Sequence, residues 1–381
     1  MKAEVFANHL KNLGIESLIG VPDSTLKQFC DYINTDGKNE FQHYVPANEG
    51  AAVGIAVGVF LATGKPACLY MQNSGIGNTV NPVTSLANEE VYDIPMLFLV
   101  GWRGEPGFHD EPQHKFMGRI TETIFDTLEI EHTVISKETT EEELTVVLKT
   151  AKQKLAANKQ YAIIVKKETF EERHGGTYQN DYPLIREDAI AAILKNLDPS
   201  DIVVSTTGKI SREVYEQADI VNGQHQQEFL TVGGMGHASM IALGIADHMK
   251  NKRVYCIDGD GAVLMQMGCL AVIGTRKPKN LIHICINNNA HESVGGMPTG
   301  AAGMSYAGAA KACGYSRVYS VSSLDELNGA LEKITAASET TFLEVKVALA
   351  SRANLGRPKE SAVENKNNFM EYHGVKKEEL S

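Results

Sequence analysis

The chain contains a weak internal duplication, which constrains its fold more than any other feature. The Leu-Lys-Asn-Leu segment Leu10–Leu13 ends a helical stretch and returns as Leu194–Leu197, and a short apolar run follows each copy. A stretch of small residues at Gly50–Gly58 has a counterpart at Gly236–Gly244. Self-similarity between the two halves of a chain indicates two tandem copies of one structural unit.

The strand-like runs in both halves are short and apolar throughout, without alternation. The clearest are Ala67–Tyr70 and Met96–Val100 in the first half, and Val254–Ile257 and Leu281–Ile286 in the second. Runs of this kind between helical segments are typical of parallel sheets covered on both faces. The sequence therefore predicts an α/β protein with two homologous parallel-sheet domains.

Length and polarity suggest where these domains end. A chain of 381 residues has room for two or three domains at roughly 150 residues each. A polar, glycine-containing stretch predicts a linker at 171–185, which leaves a first domain at 1–170 and a second at 186–350. The polar residues 351–381 are predicted to form an extended C-terminal arm with a frayed end.

Composition excludes several classes of protein. The net charge is −11 and there is no basic stripe, so nucleic acid is not an expected partner. No uncharged run approaches the roughly 20 apolar residues of a membrane span, and the first residues lack the apolar core of a signal peptide. Six scattered cysteines without a CxxC pair predict reduced thiols. We therefore expect a soluble, cytoplasmic enzyme.

Polar groups follow two successive strands of the second half. The segment Asp258–Gly261 (Asp-Gly-Asp-Gly) comes directly after one apolar strand, and Asn287 and Asn288 follow the next. The carboxyl ends of adjacent strands form the ligand-binding edge of an open α/β sheet. Carboxylate and amide oxygens suit Mg²⁺, which often bridges to phosphate. A Gly-Asp-Gly alone is commonly a plain turn, but the asparagine pair favours a metal site.

This spacing resembles the metal–diphosphate motif of thiamine diphosphate-dependent enzymes. That superfamily pairs a pyrimidine-binding domain with a homologous diphosphate-binding domain, which the resemblance assigns to 1–170 and 186–350, with no middle domain. The resemblance implies thiamine diphosphate and Mg²⁺ as cofactors. It implies Asp260, Asn288 and the backbone carbonyl of Ala290 as metal ligands, with Asn287 as the alternative to Asn288.

The same resemblance implies the contacts to the cofactor. Met235 is predicted to wedge the cofactor into its bent shape, although a plain core methionine is the alternative. Thr207 and Gly208 are similar to residues that grip the diphosphate. The remaining predicted cofactor contacts are Asn73, Gly234, Gly259, Asp260, Gly261 and Asn288.

The chemistry also requires a carboxylate from the first half. The aminopyrimidine of the cofactor becomes a base only when a carboxylate partners its N1′, and the resemblance selects Glu49 for this role. A glutamate at a helix start has an alternative role as a cap. Asp23 is the predicted proton donor, with an Asx turn after Pro22 as its alternative. Since the two halves that share a cofactor belong to different subunits in the superfamily, the resemblance implies a homo-oligomer with shared active sites.

The likeness extends over most of the chain and narrows the reaction. A chain with this domain order and only a short linker is similar to the phosphonopyruvate decarboxylases and, more distantly, to the sulfopyruvate decarboxylases. The segments that carry the likeness are Gly20–Ser24, Gln72–Asn78, Ser205–Arg212, His291–Thr299 and Ser351–Pro358. The resemblance implies decarboxylation of 3-phosphonopyruvate to phosphonoacetaldehyde and CO₂ in phosphonate biosynthesis.

A substrate with a phosphonate and a carboxylate requires cationic or hydrogen-bonding partners. Arginine suits bidentate recognition of such oxyanions. Each basic candidate has an alternative role as a solvated surface charge. The predicted substrate contacts are Ser24, Ser74, Arg103, His109, His114, Arg352 and Arg357.

Four other functions are open. The first is sulfopyruvate decarboxylation, and the second is a thiamine-dependent carboligase or oxidoreductase subunit, which the missing middle domain and the lack of Fe–S cysteine spacing disfavour. A non-catalytic cofactor-binding paralogue would not need Glu49. A phosphatase built on Asp258 and Asp260 would need a nucleophile and lysine arrangement that the sequence lacks.

Overall fold

The computed structural model describes residues 1–173, 178–294 and 296–376 and divides the chain into two compact units. The first unit comprises Met1–Thr177 with His291–Gly300, and the second comprises Tyr178–Ala290 with Ala301–Ser381. The predicted linker spans the change from one unit to the other, although residues 174–177 lie outside the described part.

The described residues of the first unit form a six-stranded parallel sheet with helices on both faces. Its strands are β1 Ser17–Gly20, β2 Gln42–Tyr44, β3 Ala67–Gln72, β4 Met96–Gly101, β5 Glu131–Ile135 and β6 Tyr161–Val165. Its helices are α1 Ala3–Asn12, α2 Lys27–Asn34, α3 Glu49–Thr63, α4 Ile76–Pro82, α5 Pro112–Thr127 and α6 Glu141–Ala156, with a 3₁₀ turn at Asn73–Gly75 and a π-helical turn at Val83–Ala87.

The second unit contains another parallel sheet of six strands. Its strands are β7 Ile202–Ser205, β8 Glu228–Leu230, β9 Val254–Gly259, β10 Leu281–Asn287, β13 Arg317–Val321 and β14 Thr341–Lys346; the short strands β11 Ala290–His291 and β12 Met297–Pro298 lie between β10 and β13 in the chain. Its helices are α7 Arg186–Lys195, α8 Lys209–Asn222, α9 Ala238–His248, α10 Asp260–Met265, α11 Gly268–Arg276, α12 Tyr306–Ala312, α13 Leu324–Thr335 and α14 Ala362–Tyr372.

The two sheets have the same topology. The strand order is β2-β1-β3-β4-β6-β5 in the first unit and β8-β7-β9-β10-β14-β13 in the second, and these are one order once the strands are counted within each unit. The helix α3 follows β2 as α9 follows β8, which places the two repeated small-residue stretches at equivalent positions. The predicted fold class is thereby confirmed.

Each sheet separates two apolar cores, which explains why its strands lack alternation. In β3, Cys68 and Tyr70 enter one core of the first unit, whereas Leu69 and Met71 enter the other. In β9, Tyr255 and Cys256 divide between the two cores of the second unit in the same way. Because both faces are covered, consecutive residues of such a strand are buried, as they are from Ala67 to Met71 in β3.

The segment His291–Gly300 departs from the predicted domains, since it packs within the first unit. The side chain of Met297 is buried in a core of that unit, and Asn34 Nδ2 donates to Met297 Sδ at 3.2 Å. The backbone of Gly300 lies so close to that of Val45 that a Cβ could not be accommodated. This segment has several small residues and no clear apolar periodicity, so its packing within the first unit could not be predicted from the sequence.

The predicted extended arm contains a helix, α14. Ser361 and Glu364 form a capping box at its start, and Phe369 packs edge-to-face on Phe229 of β8 with ring centroids 5.7 Å apart. Asn365 donates from Nδ2 to the carbonyl of Glu228 at 2.9 Å. The Ser-x-x-Glu signature of the capping box was the available signal, and residues 377–381 lie outside the described part.

Two further features concern the chain as a whole. All six cysteines are unpaired. Among the helices of the described ranges, none combines the length and apolar character needed to cross a bilayer.

Candidate active site

Asp260 lies at the carboxyl edge of the second sheet, where β9 ends and α10 begins. The neighbouring strand β10 pairs with β9 in parallel, with Ile286 opposite Gly259, so Asn287 and Asn288 emerge at the same edge. Asp260 Oδ1 accepts from the backbone N–H of Gly261 at 2.9 Å, whereas Oδ2 is buried and makes no hydrogen bond with the described residues. Burial raises the pKa of Asp260 to about 7.

A buried carboxylate oxygen without a partner is costly unless a cation satisfies it. Asn288 lies at the same edge of the sheet as Asp260. Amide, backbone carbonyl and carboxylate oxygens are the hard ligands that Mg²⁺ prefers. The residues at this edge therefore fit Mg²⁺. Asp260 and Asn288, each about 5 % exposed, leave little access for bulk water.

The three consecutive asparagines have different hydrogen bonds. Asn287 uses both ends of its side chain, since Nδ2 donates to Glu344 Oε1 at 2.9 Å and Oδ1 accepts from the Asn289 N–H at 3.0 Å. Asn288 Oδ1 accepts from the Ala290 N–H at 3.0 Å. Asn287 is thereby anchored to β14, and this fixes the turn that presents Asn288.

A role for Glu344 was not predicted from the sequence. It lies in the apolar strand β14, is 1 % exposed, and its Oε2 accepts from the Ala307 N–H and the Ser320 hydroxyl, each at 3.2 Å. A lone acid inside an otherwise apolar parallel strand was the available signal, because such a group must have a buried partner.

The turn between β7 and α8 carries the predicted diphosphate contacts Thr207 and Gly208. Gly208, the N-cap of this fourteen-residue helix, has φ +95° and ψ −142°, a conformation that favours glycine. Thr207 Oγ1 donates to the carbonyl of Val232 at 2.8 Å, which ties this turn to the chain after β8. The N-terminal N–H groups of a helix and its dipole attract phosphate.

Met235 lies between two glycines that both have positive φ. Gly234 has φ +64° and Gly236 has φ +90°, and a Cβ on Gly236 would lie 2.6 Å from Gln266 Cγ. Met235 is half-buried and belongs to neither core among the described residues of its unit. The alternative of a plain core methionine is therefore disfavoured.

Glu49 is the first residue of α3 in the first unit. The capping role belongs to Asn48, whose Oδ1 accepts from the Ala51 N–H at 2.9 Å. Glu49 itself is about 5 % exposed and its Oε2 accepts from Asn78 Nδ2 at 2.7 Å. Gly75 leaves room for it, since a Cβ there would lie 2.6 Å from Glu49 Cγ. Glu49 is therefore not the capping residue of α3, and its role at the cofactor stays a prediction.

Asp23 makes the contacts of an Asx turn, which is the alternative role that the sequence offers for this residue. Its Oδ2 accepts from the N–H groups of Thr25 at 2.8 Å and Leu26 at 3.3 Å, and its Oδ1 accepts from Gln72 Nε2 at 2.7 Å. Ser74 Oγ donates to Gln72 Oε1 at 2.7 Å. The predicted residues Asp23 and Ser74 therefore share one network, and proton donation by Asp23 stays a prediction.

Asn73 has a role that the sequence did not predict. Its Nδ2 donates to the carbonyl of Arg103 at 2.8 Å and to Thr121 Oγ1 at 2.9 Å, and its Oδ1 accepts from the Arg103 N–H at 3.2 Å. This fully buried amide fixes the backbone after β4. The cofactor contact of Asn73 stays a prediction, and both hydrogens of its side-chain amide already have acceptors within the first unit.

The basic candidates are divided between the units. Arg352, in the second unit, donates from Nε to both oxygens of Glu187 at 3.0 and 2.9 Å and pairs with Glu216. It therefore anchors the chain between β14 and α14, and two carboxylates already balance its charge. Arg357 is exposed on the same stretch.

His109 is exposed in the first unit, on the stretch that joins β4 to α5. Arg103 lies on the same stretch and donates from Nη1 to Ser24 Oγ at 2.9 Å. The structure thus brings together Ser24 and Arg103 of the predicted substrate contacts. His109 makes no contact that would hold it toward them among the described residues.

Two family models match the chain, one to each unit. The thiamine pyrophosphate enzyme N-terminal TPP binding domain matches residues 2–127, and the corresponding C-terminal TPP binding domain matches residues 206–345. Together they cover more than half of the chain, so the protein belongs to the thiamine pyrophosphate enzyme family.

The relatives identify the branch of that family. The phosphonopyruvate decarboxylase of Streptomyces hygroscopicus is 34% identical over 95% of this chain and 92% of its own length. The sulfopyruvate decarboxylase of Methanosarcina acetivorans is 27% identical over 88% of each chain. A crystal structure of benzoylformate decarboxylase from Polynucleobacter necessarius aligns at 13% identity with a TM-score of 0.38, covering 92% of this chain and 100% of its own. The chain belongs with the phosphonopyruvate decarboxylases.

Proposed function

We propose that this protein uses thiamine diphosphate and Mg²⁺ to decarboxylate 3-phosphonopyruvate to phosphonoacetaldehyde and CO₂. The observation that carries the proposal is the 34% identity to a phosphonopyruvate decarboxylase over 95% of the chain. Sulfopyruvate is the second candidate substrate, because a sulfopyruvate decarboxylase is 27% identical over 88% of the chain.

In this proposal the second unit holds the metal and the diphosphate. Asp260 and Asn288 are the side-chain ligands of Mg²⁺, and the carbonyl of Ala290 is a third ligand. Asn288 is preferred to Asn287 because the Asn287 side chain is anchored to Glu344 of β14 through Nδ2. The support for Asp260 is its buried oxygen without a partner. The turn before α8 and its N-terminal N–H groups receive the diphosphate.

The first unit contributes the acid–base groups. When bound, thiamine diphosphate supplies a thiazolium ring that accepts the electron pair left as CO₂ departs. Glu49 holds a proton at N1′ of the aminopyrimidine, and Asn78 fixes the orientation of its carboxylate through the 2.7 Å hydrogen bond. Asp23 stays the proposed source of the proton that replaces CO₂ on the substrate carbon.

We further propose a cytoplasmic homo-oligomer whose subunits share active sites. Support for an oligomer comes from α3, which is apolar all round but leaves Ala51, Gly54, Gly58 and Leu61 exposed in the single chain. Leu61 is 74% exposed, which is unusual for leucine on an apolar helix. The six unpaired cysteines are consistent with a reducing compartment.

The decisive experiment incubates the purified protein with thiamine diphosphate, Mg²⁺ and either phosphonopyruvate or sulfopyruvate, and measures CO₂ and aldehyde. We expect turnover of phosphonopyruvate with the higher kcat/KM, and its loss on chelation of the metal. The Glu49→Gln variant is the matched control, since it keeps the metal-binding half intact. A higher kcat/KM for sulfopyruvate would reassign the substrate, and no release of CO₂ from either acid would refute the proposal.

A further inference from the structure

The guanidinium of Arg103 is held on one edge by a single carboxylate. Arg103 Nε donates to Asp110 Oδ2 at 2.8 Å and Nη2 donates to Asp110 Oδ1 at 2.5 Å, a side-on bidentate pair. Nη1 donates to Ser24 Oγ at 2.9 Å. The pair is only partly exposed, with side-chain exposures of 24% for Arg103 and 17% for Asp110.

Asp110 is itself fixed by backbone groups. Its Oδ2 accepts from the Gly104 N–H at 2.8 Å and its Oδ1 accepts from the Glu111 N–H at 2.8 Å. Although partial burial opposes it, these bonds and Arg103 hold the pKa of Asp110 well below its usual range. Gly104 has φ +69°, and a Cβ there would lie 2.5 Å from the carbonyl carbon of His114. The loop is therefore closely packed on the start of α5.

Hydrogen-bond donors remain after these contacts are counted. A guanidinium carries five N–H donors, and Arg103 uses three of them with the described residues. The Ser24 hydroxyl accepts from Arg103, so its own hydrogen is available to a further acceptor. His114 Nδ1 is buried and makes no hydrogen bond with the described residues. These groups lie at the carboxyl edge of the sheet, beside the network of Asp23.

The position of a permanent cation in a decarboxylase is constrained by the chemistry. An arginine that binds the reacting carboxylate stabilises the ground state, because that negative charge disappears as CO₂ leaves. An arginine that binds the other acidic group of the substrate contributes binding energy without opposing the reaction. Arg103 therefore suits the acidic group that does not react.

We propose that Arg103 binds the phosphonate of the substrate through its remaining N–H donors together with the Ser24 hydroxyl, and that Asp110 is the residue that positions Arg103. This inference rests on the proposed function. A free arginine side chain loses rotamer entropy when it binds an anion, and the side-on bond to Asp110 removes that loss in advance. The pair is neutral overall, so recognition depends on directed hydrogen bonds more than on net charge.

The test compares Asp110→Asn, Asp110→Glu and Ser24→Ala with wild type, using phosphonopyruvate kinetics. For Asp110→Asn we expect KM to rise about tenfold or more while kcat changes less than about threefold, and Asp110→Glu to recover part of the loss. Ser24→Ala leaves the Arg103–Asp110 pair in place and should raise KM by a smaller factor. Asp36→Asn, an exposed acid of the same unit paired with Arg173, is the matched control and should leave both constants unchanged.

A binding measurement separates this inference from the proposed function. Methylphosphonate titrated into the holoenzyme should bind to wild type, and Arg103→Lys should weaken that binding about tenfold or more, since lysine lacks the planar fork. Failure of wild type to turn over phosphonopyruvate refutes the proposed function, whereas binding of methylphosphonate still tests the site. Equal binding by wild type and Arg103→Lys overturns the inference, as does a fall in kcat without a rise in KM for Asp110→Asn.

Discussion

Replacing Glu228 by glutamine removes a titrating group from the interior of the second unit. Glu228 lies in the edge strand β8, is 0% exposed, and neither of its carboxylate oxygens has a hydrogen-bond partner among the described residues. Burial raises the pKa of Glu228 to about 8, and the charge of Asp219 adds to the shift. The folded protein therefore keeps this carboxyl neutral where the unfolded chain ionises it.

The sign and size of the effect follow from proton linkage. Between the unfolded pKa of 4.5 and the folded pKa of about 8, the folded state binds more protons, so the free energy of unfolding falls as pH rises. The contribution is fully present below the unfolded pKa and is lost as pH rises through the folded one. At about 1.4 kcal/mol per pH unit, wild type loses about 3 kcal/mol between about pH 5.5 and about pH 7.5 through this group alone.

The measurement is urea unfolding of wild type and Glu228→Gln across that pH range, followed by far-UV circular dichroism. We expect the stability of the variant relative to wild type to improve by about 3 kcal/mol from the lower to the higher pH. Only this pH slope is used, because loss or gain of packing by the amide shifts both ends equally. Glu332→Gln, on the exposed face of α13, is the control. Parallel pH profiles for wild type and Glu228→Gln would show that Glu228 is ionised in the fold and would refute the reasoning.

Three further predictions concern the site and its support. Glu49→Gln should slow exchange of the cofactor C2 proton, followed by NMR after acid quench, by at least about a hundredfold, without lowering the melting temperature; unchanged exchange would remove Glu49 from the chemistry. Gly75→Ala should displace the Glu49 carboxylate, abolish activity and cost about 1–3 kcal/mol in denaturation, whereas Gly77→Ala, with open space around it, should behave like wild type. Arg186→Met should lower the stability of the second unit by about 3–5 kcal/mol, because it leaves Glu213 buried without its bidentate partner; adding Glu213→Leu should restore most of the loss.

The sheets, and the edge at which Asp260 and Asn288 lie, could be predicted because both depend on local pattern. An apolar run without alternation identifies a doubly covered parallel strand wherever it occurs, and parallel strands place their carboxyl ends at one edge. Asp260 and Asn288 could therefore be associated although they are far apart in the chain. Glu49 could be separated from a cap only in the structure, where Asn48 supplies the capping oxygen.

The polar partners could not be predicted in the same way. Arg352 was a candidate for binding an anion on sequence grounds, but Glu187 of α7 and Glu216 of α8, which are 165 and 136 residues away in the chain, bind it in the fold. The partners of Asn73 and Arg103 likewise come from the loop after β4, which supplies the Arg103 backbone to Asn73 and the Asp110 carboxylate to Arg103. Side-chain pairs of this kind depend on loop conformation, which has no periodic signal in the sequence.

The presence of two sheets with the same strand order has a consequence for how the chain unfolds. Each unit has two apolar cores, one on each face of its own sheet. We therefore expect each unit to unfold as a separate cooperative unit. Calorimetry should then resolve two unfolding transitions in one polypeptide. A destabilising substitution at Arg186 should lower the melting temperature of the transition that belongs to the second unit and leave the other unchanged. Such a substitution would unfold the unit that carries Asp260 while the unit that carries Glu49 stayed folded.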